Sequence, residues 1–282
     1  YYYKMKIGIV GYGYVGKATA LLGCKDVEVL IWDTNPSLRN INELKDLIVC
    51  DFVFICVPTP MNEDGSCHTD LVKGVATDLI DLGVKSERII IRSTIPVGTS
   101  KSLGVGFMPE FLTEANWEKD FRELKFRVIG LPNPKLYPIQ SELNHLFYLA
   151  SSAGQIKSSQ ICYCHTDEAE LAKLTRNTFL SVKVSFFNEI YQFCKDRNID
   201  YEMVKSLVAE DERIGYSHTK VPGPDGNMGY GGTCFPKDIH SLFNQMEESD
   251  TESYILKSSI LRNSKIDRPD WKEQREKGRA VK

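Results

Sequence analysis

Ten residues in the last quarter of the sequence gather more reactive chemistry than any other stretch: Gly229-Tyr230-Gly231-Gly232-Thr233-Cys234-Phe235-Pro236-Lys237-Asp238. Glycine-dense backbone allows a ligand to come close, and a thiol, a cation and a carboxylate follow within five positions. A lysine near Cys234 and a helix starting at Asp238 would both favour the thiolate, the nucleophilic form. A second pair, Lys173 and Asn177, lies four residues apart in a helical stretch and so shares one face. An ammonium and an amide converging on a cleft can stabilise an alkoxide or oxyanion. Each element has a plainer alternative, a loop that merely contains a cysteine and a solvated helix face. Taken together they offer a nucleophilic thiol and a group able to stabilise an alkoxide or oxyanion.

Such groups need a partner and a frame. Gly11-Tyr12-Gly13-Tyr14-Val15-Gly16 follows the apolar run Ile7–Val10 and opens a helical stretch with Ala18, Ala20 and Leu22. A lone G-x-G-x-x-G is a weak signal. Here a second strand pattern, Val27–Trp32, ends at Asp33, about 20 residues on, which is the context the dinucleotide fingerprint requires. Gly11 and Gly16, with Tyr14 and Val15 between them, would let a pyrophosphate rest on the helix start. Asp33 would accept hydrogen bonds from the adenosine ribose and repel a 2′-phosphate, favouring NAD over NADP. Thr59, in Val57-Pro58-Thr59-Pro60, and Ser93 and Thr94, in Arg92-Ser93-Thr94-Ile95-Pro96, each follow a strand pattern. Ligands sit beyond strand C-terminal ends in such sheets, so these hydroxyls are expected contacts. A proline turn with a hydroxyl cap is the plainer alternative.

The frame is legible in the periodicity. Apolar runs at Lys6–Val10, Val27–Trp32, Phe52–Val57, Ile89–Arg92, Val105–Met108, Arg127–Ile129 and Ile161–Cys164 alternate with helical segments. Runs of this kind predict a parallel sheet buried on both faces, a doubly wound (Rossmann-type) α/β domain over residues 1–165. From residue 166 the pattern becomes all-α. Asp167 and Glu170 offer a capping box, and helical periodicity runs from Glu168 to Asp196. A helix of that length, about 43 Å, suits a spine or a dimer seam, and a homodimer through residues 167–196 is expected. Helices are predicted at Tyr201–Ala209, Asp238–Glu247 and Glu252–Lys265, with a loosely held polar tail from Arg268.

Composition bounds the rest. The chain has 282 residues, 42% apolar and 26% charged, with a net charge of −3. This balance gives no sign of nucleic-acid binding. The longest apolar stretch, Phe52–Val57, is far too short to span a membrane. Cys24, Cys50, Cys56 and Cys194 read as buried free thiols, and Cys162-x-Cys164 lacks a second pair at zinc spacing, so no metal is expected. A large chain with free cysteines and no export signal suggests a reducing, cytoplasmic setting.

These motifs resemble the UDP-glucose/GDP-mannose dehydrogenase family of NAD-dependent nucleotide-sugar oxidases. The likeness rests on the GxGYVG start, the Ser93-Thr94-x-Pro96-x-Gly98 turn and Pro109-Glu110-Phe111-Leu112-x-Glu114. Lys173-Leu-Thr-Arg-Asn177 and Gly-Tyr-Gly-Gly-Thr-Cys-Phe-Pro-Lys-Asp complete it. The last element is the most specific. The resemblance implies oxidation of a primary alcohol to a carboxylate, with UDP-glucose going to UDP-glucuronate. Cys234 would attack the aldehyde made by a first hydride transfer, giving a thiohemiacetal. A second transfer would give a thioester that water hydrolyses.

The family's residue roles carry over position by position. Lys173 and Asn177 would hold the oxygen at the reacting carbon, while Thr94 and Asp238 position water and protons. Glu110 would be the general base of hydrolysis. Glu114 and Lys237 would lie near the cofactor. Glu110, Phe111, Leu112, Tyr230 and Gly231 would line the substrate, and Arg213 matches an arginine that reaches a neighbouring subunit's substrate. The sequence also departs from the family. It ends at Lys282, about where a third, nucleotide-binding domain is expected, and the Thr34–Cys50 and Gly98–Phe107 segments are short. Reduced enclosure of the nucleotide predicts a raised KM. Two rivals stand beside this reading: a 6-phosphogluconate or hydroxyacid type dehydrogenase needing no cysteine, and an inactive cofactor-binding remnant.

Overall fold

The β-branched runs of the first half form one seven-stranded sheet in the computed structural model, which describes residues 4–135 and 137–270. In chain order the elements are β1 (Met5–Val10), α1 (Tyr14–Ala20), β2 (Val27–Trp32), β3 (Phe52–Ile55), α2 (Asp70–Asp81), β4 (Ile89–Ile91), α3 (Thr99–Leu103), β5 (Gly106–Phe107), α4 (Trp117–Glu123), β6 (Arg127–Leu131), α5 (Tyr137–Ser152) and β7 (Ile161–His165). Four further helices follow: α6 (Thr166–Asp196), α7 (Tyr201–Ala209), α8 (Phe235–Glu248) and α9 (Tyr254–Arg262), the last running into a π-helical turn at Asn263–Asp267. An α/β sheet domain followed by helices built on one long helix is the predicted architecture, and it is what the chain adopts.

The strand order is β2-β1-β3-β4-β5-β6-β7. The chain moves outward from β1 to β2 and returns on the other side of β1, so the topological switch lies between β1 and β3. That is where an open α/β sheet receives its ligand. One edge strand is missing relative to the common 3-2-1-4-5-6 order. The short segment between β2 and β3 holds only 3₁₀ turns, Pro36–Leu38 and Leu44–Val49. A correction concerns the wholly parallel sheet expected from the apolar runs. β5 and β6 pair antiparallel, Phe107 opposite Gly130, while every other pair of neighbours is parallel. An antiparallel neighbour needs no full crossover, which suits the single short helix α4 between them.

Both faces of the sheet are covered. Ile7, Ile9, Phe52 and Phe54 meet Leu143, Leu146 and Phe147 of α5 on one side. Val10, Val53, Ile55 and Ile91 meet Val72, Ala76 and Leu79 of α2 on the other. Burial on both faces is why these strands read as continuous apolar runs rather than as alternating ones.

The chain divides into two compact units. The first takes in the residues up to Thr59 together with His68–Lys173, and the second Pro60–Cys67 together with the chain from Leu174 onward. The first unit thus runs past residue 165 into the opening turns of α6, and one short excursion belongs to the second. The second unit has its own small core of Phe187, Cys194, Tyr201 and Val221, packed by Ile190, Tyr191, Val204 and Met228. Asp200 caps α7 by accepting from the Glu202 and Met203 N–H groups.

Two expectations need correcting. The capping box at Asp167 and Glu170 does not form. Helix α6 already begins at Thr166, and Glu168 accepts from the His165 N–H at 2.8 Å. Glu170 turns instead to the loop after β4, accepting from the Gly98 and Ser100 N–H groups at 2.7 and 2.8 Å. Nor is Arg268 loose. It is buried and donates to the Met228 carbonyl and to Asp225. Among the described residues, no helix is long and apolar enough to cross a membrane, and no cluster of side chains suits a metal ion.

Candidate active site

In the first unit the glycine turn leaves β1 at the switch point. Gly11 has φ +90°, and a Cβ there would lie 2.8 Å from the Cys56 carbonyl oxygen. A Cβ on Gly16 would lie 2.1 Å from the Gly11 carbonyl oxygen, so the turn closes only with glycine at both positions. Gly13 is different. Its backbone (φ −70°, ψ −167°) suits any residue, and a Cβ there would meet nothing within 4 Å. Space kept open beside the first turn of a helix is what a close-lying pyrophosphate needs. Asp33 is held at the end of β2, accepting from the Tyr12 N–H at 2.7 Å and the Asn35 N–H at 2.8 Å. Its carboxylate is therefore fixed against the glycine turn. Tyr14 and Val15 open α1, and Val15 packs against the sheet core.

The hydroxyls after β3 and β4 are buried together. Thr59 Oγ1 donates to the Thr94 carbonyl at 2.7 Å, and Ser93 Oγ donates to the Val57 carbonyl at 2.6 Å. Thr94 Oγ1 donates to Glu110 Oε1 at 3.3 Å, and Lys173 Nζ lies 3.1 Å from the same oxygen. Glu110 is 4% exposed and Lys173 2%, so this is a dry ion pair. Glu110 Oε2 has the longer contact, 3.4 Å from the Leu112 N–H. Thr59, Thr94, Glu110 and Lys173 thus form one connected polar cluster, while Ser93 is tied separately to the Val57 carbonyl.

The second unit carries the other half of the predicted set. Cys234 is the N-cap residue of α8, and Pro236 sits in the first turn, where its missing N–H costs nothing. The Cys234 thiol lies 3.6 Å from the Thr233 hydroxyl. Asp238, fully buried, accepts from Asn177 Nδ2 at 2.6 Å through one oxygen and from Lys237 Nζ at 2.9 Å through the other. Burial works against the charge on Lys237, but Asp238, Cys67 and Cys234 outweigh it and hold its pKa above the ordinary lysine value. A permanent cation and the positive end of a 14-residue helix therefore stand next to the sulfur.

The remaining predicted residues have surroundings of their own. Glu114 is exposed at the start of a 3₁₀ turn, Glu114–Asn116, while Phe111 and Leu112 are half-buried. Arg213 is exposed and paired to Asp211, Nε to Oδ1 at 2.9 Å. Tyr230 is 2% exposed, with its backbone bonded to Asn263, and a Cβ on Gly231 would lie 1.6 Å from Arg268 Nη1. Sequence reasoning missed Glu170 as a loop anchor, and it missed Asn188, Asn263 and Arg268 around the glycine run. The only available signal was a buried-type position in a helical period, since an amide that reads a distant backbone leaves no local pattern.

Two models of one family match the chain: the NAD binding domain of the UDP-glucose/GDP-mannose dehydrogenase family over residues 35–148, and its central domain over residues 167–265. A UDP-glucose 6-dehydrogenase from Campylobacter jejuni is 29% identical over 84% of this chain and 67% of its own length. One from Pseudomonas aeruginosa is 31% identical over 76% of this chain and 49% of its own. The chain thus spans about half to two thirds of such curated relatives. Among solved structures, a UDP-glucose dehydrogenase from Pyrobaculum islandicum superposes with a TM-score of 0.76 at 26% identity, covering 92% of this chain and 67% of that one. The matched NAD-binding domain makes NAD the cofactor of the first unit; the match begins at residue 35, and the glycine turn with its open Gly13 and fixed Asp33 stands just before it. With both family domains matched in order, the chain belongs to the UDP-glucose/GDP-mannose dehydrogenase family.

Proposed function

We propose that this chain oxidises the primary alcohol of UDP-glucose to the carboxylate of UDP-glucuronate, with Cys234 as covalent nucleophile. The observation that carries this reading is the placement of the Cys234 thiol at the N-cap of α8, beside a buried Lys237–Asp238–Asn177 set. A thiol with nothing to do would not need a buried cation, a filled carboxylate and a proline-started helix around it. Bound NAD supplies the hydride acceptor, once for the alcohol and once for the thiol adduct.

The chain's own residues supply the rest. In the first oxidation the alcohol gives its C–H hydride to the acceptor and its hydroxyl proton to water, leaving the aldehyde, while the Lys173 ammonium holds the oxygen as negative charge develops on it. Cys234 adds its sulfur to the aldehyde carbon, and the carbonyl oxygen takes the proton to give a thiohemiacetal. Loss of hydride and of that proton leaves a thioester. Water then adds to the thioester carbon and the C–S bond breaks, returning the thiol and releasing the acid. Glu110 takes the proton from that water, with the Thr94 hydroxyl on the same carboxylate to orient it. Asn177 and Asp238 hold Lys237 and the α8 start in register with the sulfur.

UDP-glucose is favoured over other nucleotide sugars because several similar proteins are UDP-glucose 6-dehydrogenases, although a GDP-mannose 6-dehydrogenase from Pseudomonas aeruginosa is 27% identical. Within the same proposal, the working unit is a homodimer formed through α6, and Arg213 serves the partner's substrate. The setting is cytoplasmic, where the eight free cysteines stay reduced. An NADH-release assay over UDP-glucose, GDP-mannose and UDP-N-acetylated amino sugars tests the reading. UDP-glucose should give NADH and acid, and Cys234→Ser should lose acid formation by at least a hundredfold. Release of NADH from none of these sugars would remove the enzymatic reading.

A further inference from the structure

The glycine run before Cys234 is gripped by three side chains from elsewhere in the second unit. Asn263, in the π-helical turn after α9, reads both backbone groups of Tyr230. Its Oδ1 accepts from the Tyr230 N–H at 2.9 Å and its Nδ2 donates to the Tyr230 carbonyl at 3.0 Å. Asn188 of α6 accepts from the Gly229 N–H at 2.9 Å while donating to the Val184 carbonyl of its own helix. Arg268 donates from Nε to the Met228 carbonyl at 3.0 Å and from Nη2 to Asp225 at 2.6 Å. Its own N–H donates to the Asn263 carbonyl at 2.7 Å, tying the two together.

All three side chains are 2–4% exposed. The fit is close. A Cβ on Gly229 would lie 2.3 Å from Asn263 Oδ1, and one on Gly231 would lie 1.6 Å from Arg268 Nη1. The glycines are thus needed where the clamp meets the loop. Buried amides reading buried backbone groups are expensive to place and to remove. A glycine-rich loop has few side chains to fix its own course and depends on such contacts for a single conformation.

We infer that Asn263, Arg268 and Asn188 are positioning residues for Cys234, holding Met228, Gly229 and Tyr230 at the start of the glycine run so that the sulfur stays at the N-terminus of α8. The inference rests on the nucleophile assigned to Cys234 above. In the parent the thiol keeps the helix end and Lys237 beside it; with the clamp removed the loop wanders and the sulfur leaves that setting.

The test is the rate at which iodoacetamide alkylates Cys234 in the full chain, followed by peptide mass spectrometry, with exposed Cys162 on β7 as internal reference. Asn263→Ala is expected to slow Cys234 alkylation at least fivefold while Cys162 is unchanged. It is also expected to lower kcat about tenfold with little change in KM for NAD, whose turn lies in the first unit. Asn263→Asp is the conservative rescue: its protonated carboxyl offers the same acceptor and donor, so its deficit relative to the parent should shrink between pH 8 and pH 6. Should Asn263→Ala not fold, Arg268→Gln is read in the same way. A Cys234 rate within twofold of the parent, or above it, in a folded variant overturns the inference. Loss of the folded spectrum in both variants makes the clamp structural and overturns it as well. Alkylation needs no turnover, so failure to oxidise any sugar nucleotide would remove the proposed function while leaving this test standing on its own.

Discussion

Glu110 shows how one buried carboxylate can be committed to two neighbours through a single oxygen. Lys173 and Thr94 share Oε1, and Oε2 is left with a long contact to a backbone N–H. Pairing keeps the cost of burying the carboxyl and the ammonium together tolerable, and deleting either partner strands the other, at about 3–5 kcal/mol. The cysteines separate at the same scale. Burial pushes the Cys50 thiol up to about 12 and the Cys56 thiol up to about 11. At pH 8 fewer than roughly one in a thousand Cys56 thiols is ionised. Iodoacetamide at that pH is expected to label Cys162 and Cys234 early and Cys50 and Cys56 last. Rapid labelling of Cys56 in the folded chain would contradict the packing described for β3.

At the scale of elements, the turn after β1 makes a sharp distinction between glycines. Gly13→Ala meets no protein atom and strains no dihedral angle. Its melting temperature should stay within about 2 °C of the parent while the NAD dissociation constant rises roughly tenfold, about 1.4 kcal/mol. Gly16→Ala drives a methyl to 2.1 Å from a carbonyl oxygen and should lower both stability and NAD binding. Equal behaviour of the two variants, measured by calorimetry and titration, would mean that the open space at Gly13 receives nothing.

Glu170 poses a second test at this scale, since it pins the start of α6 to the loop after β4. Burial raises its pKa above the ordinary 4.5, outweighing the hydrogen bonds from Ser100 and Gly98. The folded chain therefore holds this proton more tightly than the unfolded one. The stability linked to it is complete below about pH 4.5 and is lost as pH rises through the raised value. Glu170→Gln cannot ionise, so its urea midpoint relative to the parent should improve between pH 4.5 and pH 7. A relative midpoint that worsens over that range would reverse the sign of the argument.

For the molecule as a whole, α6 carries Phe179, Phe186 and Phe193 seven residues apart at 64%, 56% and 54% exposure. Three large aromatics repeating by heptads on one side of a helix are costly in water and fit a partner helix. If the proposed dimer forms there, Phe186→Glu should shift the sedimentation coefficient from dimer to monomer at micromolar concentration. A parent that already sediments as a monomer would remove the dimer from the account.

How much of this was legible in the sequence differs by kind of feature. The sheet, the long helix and the two reactive clusters follow from local patterns: apolar runs, helical periodicity, and glycine next to chemistry. Glu170, Asn263 and Arg268 were missed because what they do lies in contacts 33 to 72 residues away along the chain. A polar residue near a chain end reads as solvated until its distant carbonyl is seen. The missing edge strand was signalled by a short segment, but the antiparallel β5–β6 pair was not, because two-residue strands carry no direction in their composition.

The central claim is that one chain carries an alcohol through a thiol adduct to an acid, and the count of reduced cofactor tests it most directly. With limiting UDP-glucose and excess NAD, the parent should release two NADH for each UDP-glucuronate formed, and Cys234→Ser should fail to complete the second. A parent releasing a single NADH per substrate, with Cys234→Ser equally active, would contradict the account.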